Sequence, residues 1–318
     1  MTALPFQPIR SGLYSPEELL QGFEDSNPSS LESTPDLRTY QFFVTEGRGE
    51  LYSPFTSMME ALHDCFINQA RATFQTQWNK IVGIAGGHEM DRGSQPYRQV
   101  SQLARTLAQN QVLIVTGGGP GAMEAAHLGA TFQNSTDSDF EGALNRLSVI
   151  PSLPIGLNNL VSPSGVFDPA LRDALHAWWL PAIQIHRNLG STAGPSLALP
   201  TWYYGYEAFT PFATAIAKYF QNSIREDGLV TICTAGVVYA EGRAGTVQEI
   251  FQDAEQNYYR SVQNRFSPMV FLGSEHWQRQ LPAIPLLHGL FKAVDFAKYV
   301  FVTNSSRDAA EFLLNSTF

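Results

Sequence analysis

The stretch that most constrains this chain is Val112–Ala126, VLIVTGGGPGAMEAA. Four apolar residues, Val112, Leu113, Ile114 and Val115, run through Thr116 into Gly117, Gly118 and Gly119. Pro120 and Gly121 then lead into helix formers. A buried strand that breaks on glycines and restarts as a helix gathers unpaired backbone N–H groups at the positive end of a helix dipole, which is a geometry that holds phosphate. Pro120 suits a first helical turn, where its missing N–H costs nothing. The same pattern also serves a tight strand–helix turn that needs glycine for packing alone.

Alternating strands and helices surround this stretch. Ile81–Ala85 reads as a buried strand ending at Gly86 and Gly87, and Tyr97, Val100, Leu103, Ala104 and Leu107 mark the helix that follows. Such alternation implies right-handed crossovers and a parallel sheet covered on both faces. The expected fold is therefore α/β: a Rossmann-like, doubly wound, mainly parallel sheet with helices on both faces, plus an N-terminal extension. Residues 1–79 form that extension. It is read as an extended arm over 1–38, a short strand over Thr39–Val44, and an amphipathic helix over Thr56–Thr73 that buries Met59, Leu62, Phe66 and Ala70. No chemistry is read there.

Within 80–318, Gln133–Gly142 reads as a polar loop, and Asp168-Pro169 opens a helix that Pro181 kinks or splits. Ser196–Leu199 reads as a strand, followed by the aromatic loop from Thr201 to Glu207. Phe209–Glu226 reads as a helix stopped by Gly228, with Leu229–Cys233 and Gly236–Ala240 as strands. A helix over Thr246–Tyr259, a strand at Met269–Leu272, a helix near Leu281–Phe291, a strand at Tyr299–Thr303 and a capped helix after Ser305 close the domain.

A second strand–glycine–helix unit, GVVYAEGRAGTVQEIFQDA, spans residues 236–254. Two such turns in one parallel sheet predict a cleft at the carboxyl ends of its strands. Thr246-Val247-Gln248-Glu249 also fits a capping box, in which the glutamate satisfies backbone N–H groups instead of meeting a ligand. Gly117–Ala122 formally satisfies a dinucleotide fingerprint, with Asp137 at ribose-acid spacing, but 133–142 does not read as the strand that acid should end.

Composition narrows the remaining classes. A net charge of −9 over 318 residues argues against general attraction to nucleic acid or anionic membrane. The seven histidines are scattered without metal-ligand spacing, so no metal is expected. Cys65 and Cys233 sit in apolar sequence and read as buried free thiols of a reducing compartment. With no signal-like leader or membrane-length apolar run, a cytoplasmic location is expected.

Together the two glycine units resemble the LOG (LONELY GUY) family, long mislabelled as lysine decarboxylases. Gly117-Gly118-Gly119-Pro120-Gly121-Ala122-Met123-Glu124 is similar to the family's first motif. Glu241-Gly242-Arg243-Ala244-Gly245-Thr246-Val247-Gln248-Glu249 matches the second at Gly242, Gly245, Thr246 and Glu249. The likeness runs from about Lys80 to the C-terminus, interrupted by an insertion around 133–194. It implies hydrolysis of the N-glycosidic bond of a nucleoside 5′-monophosphate, cytokinin nucleotides included, without a cofactor, by a homodimer. It implies Glu249 and Arg225 as catalytic residues, and Gly86, Gly117, Gly118, Gly119, Gly121, Met123, Glu124, Gly242, Arg243, Gly245 and Thr246 as phosphate- or nucleotide-binding. Glu241 and Arg243 replace the motif's proline and second glycine. Those departures keep open a non-catalytic nucleotide-binding or sensing protein on the same fold, with an NAD(P)-dependent oxidoreductase as a further alternative.

Overall fold

The structure is a computed structural model describing residues 4–46, 53–203, 206–262 and 264–316. In the extension, α1 (Pro16–Leu19), α2 (Pro35–Thr45) and α3 (Pro54–Gln75) precede the sheet. The main domain then runs β1 (Ile81–Ala85), α4 (Gln95–Gln109), β2 (Leu113–Thr116), α5 (Ala122–Thr131), α6 (Asp137–Leu147), α7 (Pro169–Leu189), β3 (Ser196–Ala198) and β4 (Ala215–Ile216). It continues with α8 (Asn222–Ile232), β5 (Val237–Tyr239), α9 (Ala244–Tyr259), β6 (Met269–Leu272), α10 (Ala283–Leu290), α11 (Ala293–Tyr299), β7 (Val300–Thr303) and α12 (Ser306–Asn315).

All seven strands are parallel, in the order β4-β3-β2-β1-β5-β6-β7. Alternate strand residues feed two cores, as a pleat with a period of two requires. Val82, Ile84, Ile114, Val238 and Val270 face α4, α5 and α12. Ile81, Leu113, Val115, Val237, Tyr239 and Phe271 face α8, α9 and the extension. The strand order reverses between β1 and β5, so the loops after those two strands part there and leave a crevice at their carboxyl ends.

Several local expectations are corrected. Thr39–Val44 is helical, part of α2, because Thr34 caps that helix and Pro35 opens it. The polar stretch 133–142 contains the start of α6, with the Thr136 side chain as N-cap and Asp137 and Asp139 in its first turn. α7 runs through Pro181 without splitting. Phe209–Glu226 is not one helix: β4 and an extended segment occupy its first half, and α8 begins at Asn222 and runs through Gly228 to include 229–232. Phe212, Ile216, Tyr219 and Phe220 are buried as foreseen, but on an edge strand and its flanks. Cys233 is a buried thiol, whereas Cys65 is exposed on α3.

The α3 helix forms where expected but turns another face inward. Thr56, Glu60, His63, Asp64 and Ile67 are buried, while Met59, Leu62 and Phe66 are only half-buried. The inward polar groups have partners on the main domain. Asp64 accepts hydrogen bonds from the backbone N–H of Phe220 (3.0 Å) and Gln221 (2.8 Å), and His63 bridges Asp64 (3.0 Å) and Tyr14 (2.8 Å).

Candidate functional site

The crevice at the strand reversal is closed at its base by three interlocking turns. The N–H of Gly87, after β1, donates to Glu241 O after β5 (2.9 Å), and Ala122 N–H donates to Gly87 O (3.1 Å). Gly121 caps α5 at φ +69°, and a Cβ there would collide with Gly87 O. Gly86 lies against Ala122 and Ala240, where a Cβ would come within 2.6 Å and 3.0 Å. These glycines are required because three backbones meet where side chains do not fit.

Thr116 sets the shape of the first turn. Its Oγ1 accepts the Gly118 N–H (2.8 Å) and is held by His127 Nε2 (2.9 Å), whose Nδ1 bonds Ser196 Oγ (2.8 Å). Burial pushes His127 down to about 3, so the ring is a neutral strut. Gly117–Gly121 are all buried. The Arg225 guanidinium lies over Gly117, Glu207 over Gly119, and the Met123 thioether against both. Among the described residues no acceptor meets the N–H of Gly119, Gly121 or Met123. This first turn is thus a donor-rich floor roofed by an arginine and a carboxylate.

Glu124 has a different place from the one expected of a ligand contact. Arg92 donates to both its oxygens (2.7 Å each) and the Tyr97 hydroxyl to one (2.8 Å). The Arg92 guanidinium also stacks 3.6 Å from the Trp178 ring. With its lone pairs occupied in the core, Glu124 ties α5 to α4 and α7.

The second turn is open. α9 begins at Ala244 with no side-chain cap, so Thr246 stands inside the first turn and the capping-box alternative does not form. Gly245 is exposed, with nothing within 4 Å of a would-be Cβ, while Thr246 packs its hydroxyl over Gly242. His276 Nε2 donates to Gly242 O (3.0 Å) and steadies the loop. Arg243 points outward with Glu89 3.9 Å away, and Glu241 leans on Gly273. Both departures from the motif therefore turn their side chains away from the first glycine turn.

Between the two turns lies a charged cluster. Arg225 donates to Leu199 O (3.0 Å) and pairs with Glu226. Burial works against its charge, but Glu226, Glu249 and Glu207 more than offset that and keep the guanidinium ionised. Glu249 is 8% exposed and receives no hydrogen bond from any described residue. Burial, reinforced by Glu226 and Glu207 and opposed by Arg225, pushes its carboxyl up to about 7. A nearly buried carboxyl without a hydrogen-bond donor, near neutrality, has the protonation behaviour that proton transfer requires.

Sequence reading brought Arg225, Glu249 and the two turns to one place but missed Glu207 and Glu226. Glu207 had one signal: it ends a loop that follows a strand on the binding edge. Asp137 opens α6 and pairs with Arg105 (2.6 Å) while almost fully exposed, so it is not a ribose-binding acid at a strand end. Among the described residues no cluster of metal-ligating side chains occurs, and no helix is long and apolar enough to cross a membrane.

Residues 79–137 match the model of the SLOG cluster4 family, a span holding β1, α4 and the whole first glycine turn. The match covers the first glycine motif and stops short of the second, and it agrees with the LOG-type resemblance read from that motif. No curated protein matches the chain. Similar solved structures include the molybdenum cofactor binding protein from Rippkaea orientalis (13% identity, TM-score 0.42, covering 74% of this chain and 95% of that one). They also include the Moco carrier protein from Chlamydomonas reinhardtii (15%, 0.42, 74% and 97%) and the protein TM1055 (17%, 0.43, 74% and 99%).

Proposed function

We propose that the protein hydrolyses the N-glycosidic bond of a nucleoside 5′-monophosphate to free base and ribose 5-phosphate. One observation carries this reading: Glu249, unpaired and nearly buried, stands beside Arg225 between two glycine turns that start helices. Breaking a ribosyl–base bond builds oxocarbenium-like charge on the sugar, which a nearby carboxylate stabilises while orienting the attacking water. Water adds at C1′, the base departs with the bonding pair and takes up a proton, and Glu249 accepts the proton that water gives up. Arg225 holds the sugar hydroxyls. The open first turn of α9, with Gly245 and Thr246, takes the 5′-phosphate, and the 117–121 turn floors the site. The homodimer belongs to the same proposal and is read by sedimentation.

The test is base release from AMP, GMP, CMP, UMP and a cytokinin nucleotide by wild type and Glu249→Gln. Loss of about 10²-fold or more in kcat is expected for a group that both stabilises charge and moves a proton. The wild-type rate should fall as pH drops below about 7, where Glu249 takes up its proton. Equal rates in both proteins would sink the assignment. A second reading, nucleotide binding without turnover, is favoured by Glu207, whose carboxylate covers Gly119. Saturable nucleotide binding with no base released would establish it.

A further inference from the structure

Beside the cleft lies a cavity of about 940 Å³ between α3 of the extension and the helices α8 and α9. Ser57, Glu60, Phe220, Glu226, Gln248 and Phe251 are among its walls, and no lysine or arginine among the described residues lines it. Glu60 is 6% exposed, its Oε1 is buried without a partner, and no described residue donates a hydrogen bond to it. Glu226, also 6% exposed, gives Oε1 to Arg225 and to Asn222 Nδ2 (3.3 Å), while its Oε2 is buried without a partner.

A buried carboxylate without donors is costly, and the cost is recovered when a ligand supplies them. Here burial and the neighbouring Asp64 push Glu60 up to about 7, and no described residue supplies a donor. The walls specify what meets it. Of the Glu60 and Glu226 carboxylates only that of Glu226 has a cationic partner among the described residues, which disfavours an anionic ligand head, and Phe220 and Phe251 suit a flat apolar body. Two adjacent N–H groups match a carboxylate's two oxygens. Glu226 connects the cavity to the cleft, because the same side chain holds Arg225.

We propose that this cavity, built jointly by the N-terminal extension and the main domain, receives the ligand's nucleobase, with Glu60 selecting a guanine-type edge of two adjacent N–H donors. The inference rests on the nucleotide reading above and assigns the base.

Binding is measured calorimetrically for GMP, UMP, ribose 5-phosphate, guanine and benzamidine, in Glu249→Gln protein to prevent turnover, with and without Glu60→Gln. Glu60→Gln should weaken GMP and guanine by about 10- to 100-fold, as loss of hydrogen bonds to a charged group does, and leave ribose 5-phosphate unchanged. Because no described residue donates a hydrogen bond to Glu60, its glutamine variant should melt at or above the parent's temperature, which separates lost binding from lost folding. An unchanged GMP affinity, or equal weakening of all ligands, overturns the proposal. So does preference for benzamidine over guanine, which would make the cavity a site for organic cations. Ribose 5-phosphate bound while Glu60→Gln has no effect upholds the nucleotide reading and removes the base assignment. Guanine bound through Glu60 with no affinity for ribose 5-phosphate does the reverse.

Discussion

At the scale of single residues, the site is held in a state that folding alone would not choose. Glu249 and Glu60 are each pushed up to about 7, and Asp253 to about 6, by burial first. A carboxyl whose folded value lies above its unfolded one binds its proton more tightly in the native state. Stability is therefore full below the ordinary value of 4.5, declines as pH rises toward 7, and is flat above it. Glu249→Gln removes that penalty while Arg225 keeps Glu226 as its partner. The variant should be more stable than wild type at pH 8 by on the order of 1–3 kcal/mol, and the gain should shrink toward pH 5. Urea unfolding at the two pH values reads the difference. A destabilised variant at pH 8 would mean Glu249 holds the fold together instead of the reaction.

Among elements, the two helix starts divide the labour. α5 starts from a turn that is wholly interior, and Gly121 sits at φ +69°, ψ −126°, a region that only glycine enters cheaply. Gly121→Ala should cost more than about 3 kcal/mol, since backbone strain adds to the clash with Gly87 O. α9 starts in the open, where a Cβ at Gly245 meets nothing. Gly245→Ala should leave stability unchanged or raise it by about 0.4–1 kcal/mol through the unfolded chain's entropy. If phosphate approaches that backbone, the same variant should weaken nucleotide binding, so thermal melting and titration move in opposite directions.

Across the whole molecule, the extension anchors the segments that carry the site. Asp36 of α2 is buried and accepts from Lys218 Nζ (2.6 Å), Trp202 Nε1 (3.0 Å) and the Tyr206 hydroxyl (2.9 Å). With Asp64 holding the N-terminus of α8, these bonds fix the segment that presents Glu207 and Arg225. Helix α7 is tied to the same layer through Arg172–Glu32 and Arg187–Asp25. Asp36→Ala strands the Lys218 ammonium in the core and should cost about 3–5 kcal/mol, whereas Asp36→Leu combined with Lys218→Met should recover much of it. Chemical denaturation of the single and double variants measures this. An additive loss would show that the pair is not the joint.

The parallel sheet and the two glycine turns were legible in the sequence. Each is written locally, as a run of apolar residues or a glycine forced by backbone crowding, whereas Arg225 and Glu249, on different helices, were singled out by the resemblance of the motifs. What the sequence did not reveal depends on distant partners. The face of α3 that turns inward is chosen by Asp64 meeting the amides of 220 and 221, so local amphipathicity pointed to the other side. The segment from Phe209 to Phe220 has helical spacing, but strand β3 offers it an edge to pair with, and it became β4 and its flanks. Whether Glu249 would cap a helix or stay free was decided by where α9 starts, one turn earlier than a capping box needs. Glu60 stood out only once α3 lay over α8 and α9, where folding takes away its water and no described residue donates to it.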